Sequence, residues 1–484
     1  MSNTENTHFF CTDSRVDGYP FKRDFYDDVE TALKSTVPVT FLLGPRKCGK
    51  TVCLHQIEHK HSTASYWDVK GLTDDERVQL MYRIQKSILA NEEIVYLIDE
   101  VTYWQYPDNT IELFASAYSS TRNTRTKVVL AGSQSRALEA WGHKAFAGSA
   151  NFIRMSFMDY SEWLRYSSCE PSVESYNQFL FHIDKFYNMS SLADYLQGCL
   201  DETVVSNTKT SNLILNNECD LLEVSLLLDV LYAVLISRHN RSNPQTFSSE
   251  GVLAADMRRY FGDSFSDTVK SSVQQFLVTR YASLSRQSLS ALRQAMCFLY
   301  NCGLISITHT ITSSNQEVDI KRLLFNDSMF EQQVRTKQDF FRIFNFSIKH
   351  PMFYLAVLKL VLREHMPRGL PPELLGSLVE CHVRGLLPEA YGFEYHDDLN
   401  RELDYLNVSY GMAVEITITD KKLSRTHFEC APNCPLKILT TKTRLDAKDD
   451  IYRIPYFLFI EFLSRRFQYA VPDLWVLLEE LQLG

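Results

Sequence analysis

A short segment near the N-terminus has the residue types and spacing of a phosphate-binding loop. It matches the pattern G-x-x-x-x-G-K-[ST] with Gly44, Pro45, Arg46, Lys47, Cys48, Gly49, Lys50 and Thr51. Glycine is needed where backbone amides converge on phosphate oxygens, because such a turn leaves little room for side chains and requires unusual backbone angles. In such a loop Lys50 contacts the β- and γ-phosphates, and Thr51 ligates Mg²⁺. The phosphate-binding loop (residues 44–51) therefore predicts a site for ATP and Mg²⁺, and Val52 is expected to belong to the nucleotide-binding residues as well.

Two adjacent carboxylates follow an apolar run about 50 residues later. Residues 94–98 are aliphatic apart from one tyrosine and lead directly into Asp99 and Glu100. A buried strand that ends in two carboxylates has the form of a Walker B segment. Asp99 is then expected to hold the Mg²⁺ shell, and Glu100 to polarise the attacking water as general base. A buried strand that runs into an acidic turn would also explain this segment. The separation of about 50 residues between the segment and the phosphate-binding loop favours the catalytic interpretation instead.

The hydrophobic pattern predicts the elements that must position these groups. Residues 37–43 are β-branched and apolar, as in a buried parallel strand, and a helix is expected from Lys50. Apolar side chains four positions apart in residues 21–33 predict an amphipathic helix before that strand. Another apolar strand is expected at 127–133, and a helix at 109–125. The N-terminal part is therefore predicted to be α/β with a parallel sheet.

Length and composition restrict the class of protein. A chain of 484 residues is expected to form two or three domains. No apolar run reaches the roughly 20 residues that span a bilayer, and the first residues lack the order of a secretion signal. The 11 cysteines are an odd number spread along the chain, so reduced thiols are expected. These features predict a cytoplasmic protein without a membrane partner, and the net charge of −9 leaves room only for a local nucleic-acid patch.

Five segments together resemble one family. They are Tyr-Pro-Phe-Lys-Arg at 19–23, the Gly-Pro-Arg form of the phosphate-binding loop, Leu-Ile-Asp-Glu at 97–100, Leu-Ala-Gly-Ser at 130–133, and 154–164 with its pattern Phe-x-x-Tyr-x-Glu-Trp-Leu. They resemble the prokaryotic AAA-type P-loop ATPases with a winged-helix-like middle region and a C-terminal restriction-endonuclease-like (PD-(D/E)xK) domain. The resemblance covers most of the chain. It implies an ATPase domain at 1–165, a helical lid and winged-helix-like region at 166–345, and a nuclease-like α/β domain at 346–484.

The resemblance also implies roles outside the two Walker motifs. In AAA-type ATPases a polar residue at the end of the strand between the two Walker strands senses the γ-phosphate. Ser133 fits this role, with Gln134 as second choice, and the alternative is that Ser133 caps the following helix. Arg122 and Arg125 are candidates for an arginine finger in a neighbouring subunit of a homo-oligomer, although surface arginines are common.

The middle region has the element order of a winged helix. Apolar residues at helical spacing over 284–300 stop at Gly303, and a β-branched run follows. One interpretation is DNA binding, with Arg280, Arg286 and Arg293 facing phosphates. The other is a spacer between domains, which the lack of a dense basic cluster favours.

Three carboxylates in the C-terminal part have the types expected of a second Mg²⁺ site. Glu380 lies at the edge of the apolar stripe of a predicted helix, and Asp404 and Glu415 lie on two strands of a predicted hairpin. One helix glutamate and two strand carboxylates form the constellation that aligns water for phosphodiester attack. The endonuclease core has Glu-x-Lys on its second strand, however, and Thr417 stands in place of that lysine.

Two functions remain open from the sequence. One is a Mg²⁺-dependent ATP hydrolase coupled to a nuclease-like module that acts on nucleic acid. The other is an ATP-driven binding switch, whose inactive nuclease-like domain recognises DNA or another protein without cutting it. Thr417 is the feature on which the choice depends.

Overall fold

The computed structural model divides the chain into two compact units. The first comprises Met1–Glu162 and Gln197–Asp220, and the second comprises Trp163–Leu196 and Leu221–Gly484. The structure describes residues 21–122, 124–133, 135–186, 192–206, 222–237, 265–312, 320–337, 339–340, 344–363, 370–387, 393–396, 402–407, 411–420, 428–429, 431, 433–448, 450–465 and 474–483. The division into three domains at 165 and 345 stays a prediction.

The first unit contains a parallel sheet with helices, as the sequence predicted. Its described strands are β1 (Val39–Leu43), β2 (Ala64–Asp68), β3 (Val95–Asp99), β4 (Lys127–Gly132) and β5 (Asn151–Arg154). They are ordered β2-β3-β4-β1-β5, and each neighbouring pair is parallel. The helices are α1 (Phe25–Lys34), α2 (Lys50–Lys60), α3 (Asp74–Ala90), α4 (Pro107–Thr121) and α5 (Ser135–Phe146). Strands β1, β3 and β4 are buried along their whole length, which explains their apolar sequences.

Aromatic packing fixes the strand that leads into the phosphate-binding loop. Phe41 of β1 is fully buried, and its ring stacks on Phe152 of β5 with centroids 5.1 Å apart. A Cβ on Gly142 of α5 would lie 2.8 Å from atoms of the Phe41 ring and 2.9 Å from the Phe152 ring, so α5 packs directly against both rings. Burial of a phenylalanine side chain contributes about 1.5–3 kcal/mol. The loop therefore begins at a strand that is held by its neighbour β5 and by α5.

Helices α6 (Tyr160–Ser167), α7 (Val173–Phe186) and α8 (Leu192–Ser206) follow β5. The chain passes from the first unit to the second within α6 and returns within α8. None of the helices in the described segments is both long and apolar enough to cross a bilayer.

The second unit contains helices and a mixed sheet of eight described strands. The helices are α9 (Val224–Ser237), α10 (Asp267–Arg286), α11 (Leu289–Asn301), α12 (Ile320–Phe325), α13 (Asp327–Gln333), α14 (Pro351–Leu362), α15 (Pro372–Leu386), α16 (Tyr456–Ser464) and α17 (Leu474–Glu480). The strands are β6 (Ile305–Thr312), β7 (Phe344–Ile348), β8 (Phe393–His396), β9 (Glu402–Asn407), β10 (Met412–Glu415), β11 (Leu436–Thr441), β12 (Asp446–Lys448) and β13 (Ile451–Pro455). Their order is β12-β13-β11-β10-β9-β8-β6-β7.

Strand pairing in this sheet joins the middle and C-terminal regions. The strand predicted after Gly303 is β6, which pairs antiparallel with β7 and parallel with β8. The predicted boundary at residue 345 falls inside β7. The hairpin predicted to carry Asp404 and Glu415 is confirmed, because β9 and β10 are antiparallel neighbours. Helix α15 is thus followed by the antiparallel strands β8, β9 and β10, and then by β11 parallel to β10.

Candidate nucleotide-binding site

The phosphate-binding loop connects the carboxyl end of β1 to the first turn of α2. Gly49 is the residue before α2 and has a left-handed backbone, with φ 103°. A Cβ on Gly44 would lie 2.8 Å from the Sγ of Cys48 and 2.8 Å from the carbonyl oxygen of Met155. The two glycines are therefore required for different reasons, which are space at Gly44 and backbone conformation at Gly49.

The ammonium group of Lys50 lies inside the loop. Lys50 is 6% exposed, and its Nζ donates hydrogen bonds to the carbonyl oxygens of Gly44 at 2.7 Å and Pro45 at 2.8 Å. The N-terminus of α2 adds the partial positive charge of its free amides. This end of the sheet thus has the electrostatics that favour a polyphosphate.

The other residues of the loop contact protein groups. Arg46 Nη1 donates to the carbonyl oxygen of Gly198 at 3.3 Å. The side chain of Cys48 is fully buried, and its carbonyl oxygen accepts a hydrogen bond from Arg23 Nη1 at 2.8 Å. Val52 is half-buried in the first turn of α2. The loop is therefore braced from several directions.

Thr51 and Asp99 meet although they are 48 positions apart. The hydroxyl of Thr51 donates to Asp99 Oδ2 at 2.5 Å. Asp99 ends β3 and is 2% exposed, and the same oxygen accepts a hydrogen bond from the Tyr66 hydroxyl at 3.3 Å. A hydroxyl and a carboxylate are oxygen ligands of the kind that Mg²⁺ prefers. The donor set therefore fits the metal that the sequence predicts here.

Glu100 lies beside Asp99, and one of its two carboxylate oxygens accepts no hydrogen bond from the described residues. Its backbone is left-handed, with φ 52° and ψ 44°, and its N–H donates to Asp99 Oδ1 at 3.0 Å. Its Oε2 is buried and has no hydrogen-bond partner among the described residues. Burial and then the Asp99 charge raise the pKa of this carboxyl, while Lys50 and Arg46 act in the opposite direction. A buried carboxylate of this kind is suited to accept a proton from water.

Two residues of β2 were missed by the sequence reasoning. Tyr66 holds Asp99 through its hydroxyl, and Asp68 stands opposite Asp99 in the parallel register of β2 and β3. Burial and then repulsion from Asp99 raise the pKa of Asp68. Strand β2 has the sequence Ala-Ser-Tyr-Trp-Asp and is only partly buried, so it gave no aliphatic signal like that of β1 or β3.

The strand order gives β4 the position expected for a sensor strand, between β1 and β3. Ser133 follows β4 directly and is half-buried, and its sensor role stays a prediction. Gln134 lies outside the described residues. Ser135, the first residue of α5, reaches the loop, because the N–H of Gly44 donates to its hydroxyl oxygen at 2.7 Å. In the sequence, only its position near the start of a helix could have pointed to Ser135. A serine at such a position is typical of a helix cap rather than of a nucleotide-binding site.

The two candidate arginine-finger residues lie at the amino ends of the strands, at the opposite end of the sheet from the phosphate-binding loop. Arg125 precedes β4 and pairs with Glu93, which precedes β3, at 2.6 Å, and both side chains are exposed. Arg122 follows the last residue of α4 at the same end of the sheet. The phosphate-binding loop lies at the carboxyl ends of the strands. Neither arginine therefore reaches the site of its own chain, and a role in a neighbouring subunit stays a prediction.

Two of the three predicted C-terminal carboxylates, Glu380 and Asp404, lie against an arginine. Arg384 of α15 has a side chain 2% exposed, and its Nη2 lies 2.7 Å from Glu380 Oε1 and 3.5 Å from Asp404 Oδ1. Asp404 Oδ2 accepts the N–H of Ile416 at 2.8 Å, and Glu415 ends the adjacent strand β10. Across the part of the chain that the structure describes, no three His, Cys, Asp or Glu side chains are grouped to hold a metal. The sequence reasoning did not consider Arg384.

Two arginines considered for DNA binding are engaged inside the second unit. Arg280 Nη1 lies 3.5 Å from Asp229 Oδ1. Arg293 donates to the carbonyl oxygen of Leu324 at 2.8 Å and to Asp327 at 2.7 Å. These contacts favour the spacer interpretation of the middle region, in which such arginines have structural partners.

Comparison with known proteins identifies the nucleotide-binding part. Residues 36–164 match the family model described as "AAA domain". This segment contains β1 to β5, the phosphate-binding loop, Asp99 and Glu100. The chain therefore contains an AAA domain. No curated protein shows significant sequence similarity to the chain.

Three solved structures align with the chain at low similarity. AMPPCP-bound DnaA from Aquifex aeolicus is 13% identical, covering 56% of this chain and 90% of that one, with a TM-score of 0.26. A DNA replication initiation factor is 12% identical over 72% and 98%, with a TM-score of 0.24. The replication initiator DnaA bound to AMPPCP and single-stranded DNA is 13% identical over 58% and 89%, with a TM-score of 0.26. These TM-scores are too low to support a conclusion about fold or function.

Proposed function

We propose that this protein is a Mg²⁺-dependent ATPase. The observation that carries the proposal is the 2.5 Å contact between the Thr51 hydroxyl and the Asp99 carboxylate. It brings the end of the phosphate-binding loop and the end of β3 together, as a shared metal site requires. The AAA-domain match over residues 36–164 supports the same proposal.

Each residue of the site has a chemical task in this proposal. The amides of the loop and of the first turn of α2 bind the phosphates, and Lys50 offsets their charge. Thr51 and Asp99 hold Mg²⁺, which when bound neutralises charge that develops on the phosphates. Glu100 orients the attacking water and accepts its proton through the unpartnered Oε2. Ser133 contacts the terminal phosphate.

Steady-state ATP hydrolysis tests the proposal. We expect turnover that requires Mg²⁺ in the wild type and is abolished by Lys50→Ala and by Glu100→Gln. Glu112→Gln is the matched control, because Glu112 is an exposed carboxylate that pairs with Lys144 outside the site. Unchanged turnover in Lys50→Ala and Glu100→Gln would remove the proposal.

For the second unit, we propose a restriction-endonuclease-like domain coupled to the nucleotide state. The support is the order of α15, antiparallel β8, β9 and β10, and parallel β11, with Asp404 and Glu415 on adjacent strands. A nuclease of this type acts on nucleic acid and holds its metal with Glu380, Asp404 and Glu415.

The buried guanidinium of Arg384 favours the second candidate function, a binding switch. Its charge lies against Glu380 and Asp404, where a nuclease would need a metal ion. In this function the inactive domain recognises DNA or another protein without cleaving it. Incubation with single- and double-stranded DNA and RNA, with ATP and Mg²⁺ or Mn²⁺, separates the two. Cleavage that Asp404→Ala abolishes supports the nuclease, and the absence of cleavage under all conditions supports the switch.

Location and assembly complete the proposal. All eight cysteines among the described residues are free thiols, which fits a cytoplasmic location. A homo-oligomer would allow Arg122 or Arg125 to serve a neighbouring site as an arginine finger. Sedimentation with and without ATPγS tests the assembly, and a monomer in both conditions would remove the finger.

A further inference from the structure

Two segments that carry the family resemblance meet at the phosphate-binding loop. Arg23 ends the segment 19–23, and Glu162 lies in the segment 154–164, 139 positions away. Arg23 Nε donates to Glu162 Oε1 at 2.6 Å, and the two side chains are only 10% and 7% exposed. The proposed mechanism gives neither residue a task.

The guanidinium of Arg23 joins three parts of the first unit. Besides Glu162, it donates from Nη1 to the carbonyl oxygen of Cys48 at 2.8 Å and from Nη2 to that of Ser156 at 3.1 Å. Glu162 Oε1 also accepts the N–H of Asp24 at 3.0 Å, which fixes the carboxylate. One arginine fork therefore connects the loop, the segment after β5 and the first turn of α6. A lysine could not make all three contacts, because it lacks the planar fork.

The contact with Cys48 has a direct effect on the loop backbone. The peptide between Cys48 and Gly49 is planar and trans, since the described chain has no cis peptide bond. Its C=O and N–H therefore point in opposite directions. Because the carbonyl oxygen is bound to Arg23, the N–H of Gly49 is directed away from Arg23. Gly49 also has the left-handed φ of 103°, a conformation that an unsupported loop would hold only part of the time.

We infer that Arg23 and Glu162 are positioning residues that hold the phosphate-binding loop in its nucleotide-binding conformation. Arg23 fixes the Cys48 carbonyl, and Glu162 fixes and neutralises Arg23 in a buried place where an unpaired charge would be costly. This inference rests on the proposed nucleotide function, and it assigns the motif glutamate a task at that site. Neither residue contacts the phosphates in this assignment.

Calorimetric titration with ATPγS and Mg²⁺ tests the inference on the full chain. Arg23→Lys is expected to weaken binding by roughly 10- to 100-fold, the equivalent of one charged hydrogen bond. Glu162→Gln keeps an oxygen for the Asp24 N–H and removes only the charge, so a smaller loss is expected. The double variant is expected to lose less than the product of the two single losses, because the residues act as a unit.

Arg293→Lys is the matched control. Arg293 also donates to a backbone carbonyl and a carboxylate, and its side chain is 16% exposed, but it lies in the second unit. We expect it to bind ATPγS within about twofold of the wild type, well below the effect of one charged hydrogen bond. In hydrolysis assays Arg23→Lys is expected to raise KM while kcat at saturating ATP is retained, which a general loss of folded protein would not produce.

The possible results separate the inference from the function on which it rests. A wild type that binds no ATPγS would overturn the proposed function and the inference with it. A wild type that binds, with Arg23→Lys and Glu162→Gln both within about twofold of it, would overturn the inference only. An equal loss in Arg293→Lys, or a lowered kcat at unchanged KM, would also overturn it. If Arg23→Lys does not fold, Glu162→Gln decides, because it preserves the shape of the site.

Discussion

Replacing Glu100 by glutamine is expected to stop hydrolysis while making the nucleotide-binding domain more stable. The Glu100 carboxyl is buried next to Asp99, and its pKa is raised above the ordinary value of 4.5. A carboxyl with a raised pKa in the folded state binds its proton more tightly there than in the unfolded chain. Stability therefore falls as the pH rises from 4.5 through the folded pKa, and the full cost is present above both values. Glutamine removes that cost and also removes the group that we propose as general base.

The expected loss of hydrolysis and the expected gain in stability can both be given a size. Loss of a positioned general base lowers the rate by about 10²- to 10⁴-fold. A buried acceptor without a partner costs about 1–3 kcal/mol, and because glutamine is still polar we expect it to recover about 1 kcal/mol. For a domain of this size, that gain corresponds to a rise of about 2–4 °C in Tm. Binding of ATP is expected to be unchanged or tighter, since the variant removes a negative charge near the phosphates.

Three measurements on the same two proteins check this prediction. Single-turnover hydrolysis gives the rate, titration with ATP gives the affinity, and thermal melts at pH 8 and pH 5 give the stability difference. We expect the stability gain of Glu100→Gln to be larger at pH 8 than at pH 5. A hydrolysis rate within about tenfold of the wild type, or a lower Tm at pH 8, would refute the assignment of Glu100.

Further predictions concern the loop, its brace, the pH profile and the second unit. Gly44→Ala is expected to cost about 1–3 kcal/mol in urea unfolding and to weaken ATP binding in titrations, because its Cβ has no room. Ser135→Ala leaves the N–H of Gly44 unpaired, and we expect a roughly tenfold lower kcat/KM in steady-state assays together with a loss of about 1 kcal/mol in urea unfolding. In the wild type, kcat/KM is expected to fall tenfold per pH unit below the raised Glu100 pKa, with a midpoint above 4.5 in a pH series. Arg384→Met is expected to cost about 3–5 kcal/mol in urea unfolding, because two carboxylates lose their cation.

The sequence was sufficient for the parts of the site that are continuous in the chain. The phosphate-binding loop, the strand before it and the helix after it are one segment, so their order follows from local pattern. The strand that ends in Asp99 is equally local, since a fully buried parallel strand needs an aliphatic run. The position of β4 between the Walker strands followed only from the family resemblance.

The parts that the sequence did not reveal are contacts between distant segments. Tyr66 and Asp68 matter because β2 pairs with β3 in one register, and a partly polar strand carries no signal of its partner. Ser135 and Arg384 act through side-chain directions that depend on how α5 and α15 pack. The shared sheet of β6 and β8 joins segments more than 80 residues apart, which no local periodicity encodes.

The most direct test of the central claim is the release of phosphate from γ-labelled ATP by purified protein, with and without Mg²⁺, in the wild type and Lys50→Ala. The claim predicts release by the wild type only when Mg²⁺ is present, and none above background from Lys50→Ala. Equal release from both proteins would contradict the claim, as would a wild type that releases no phosphate.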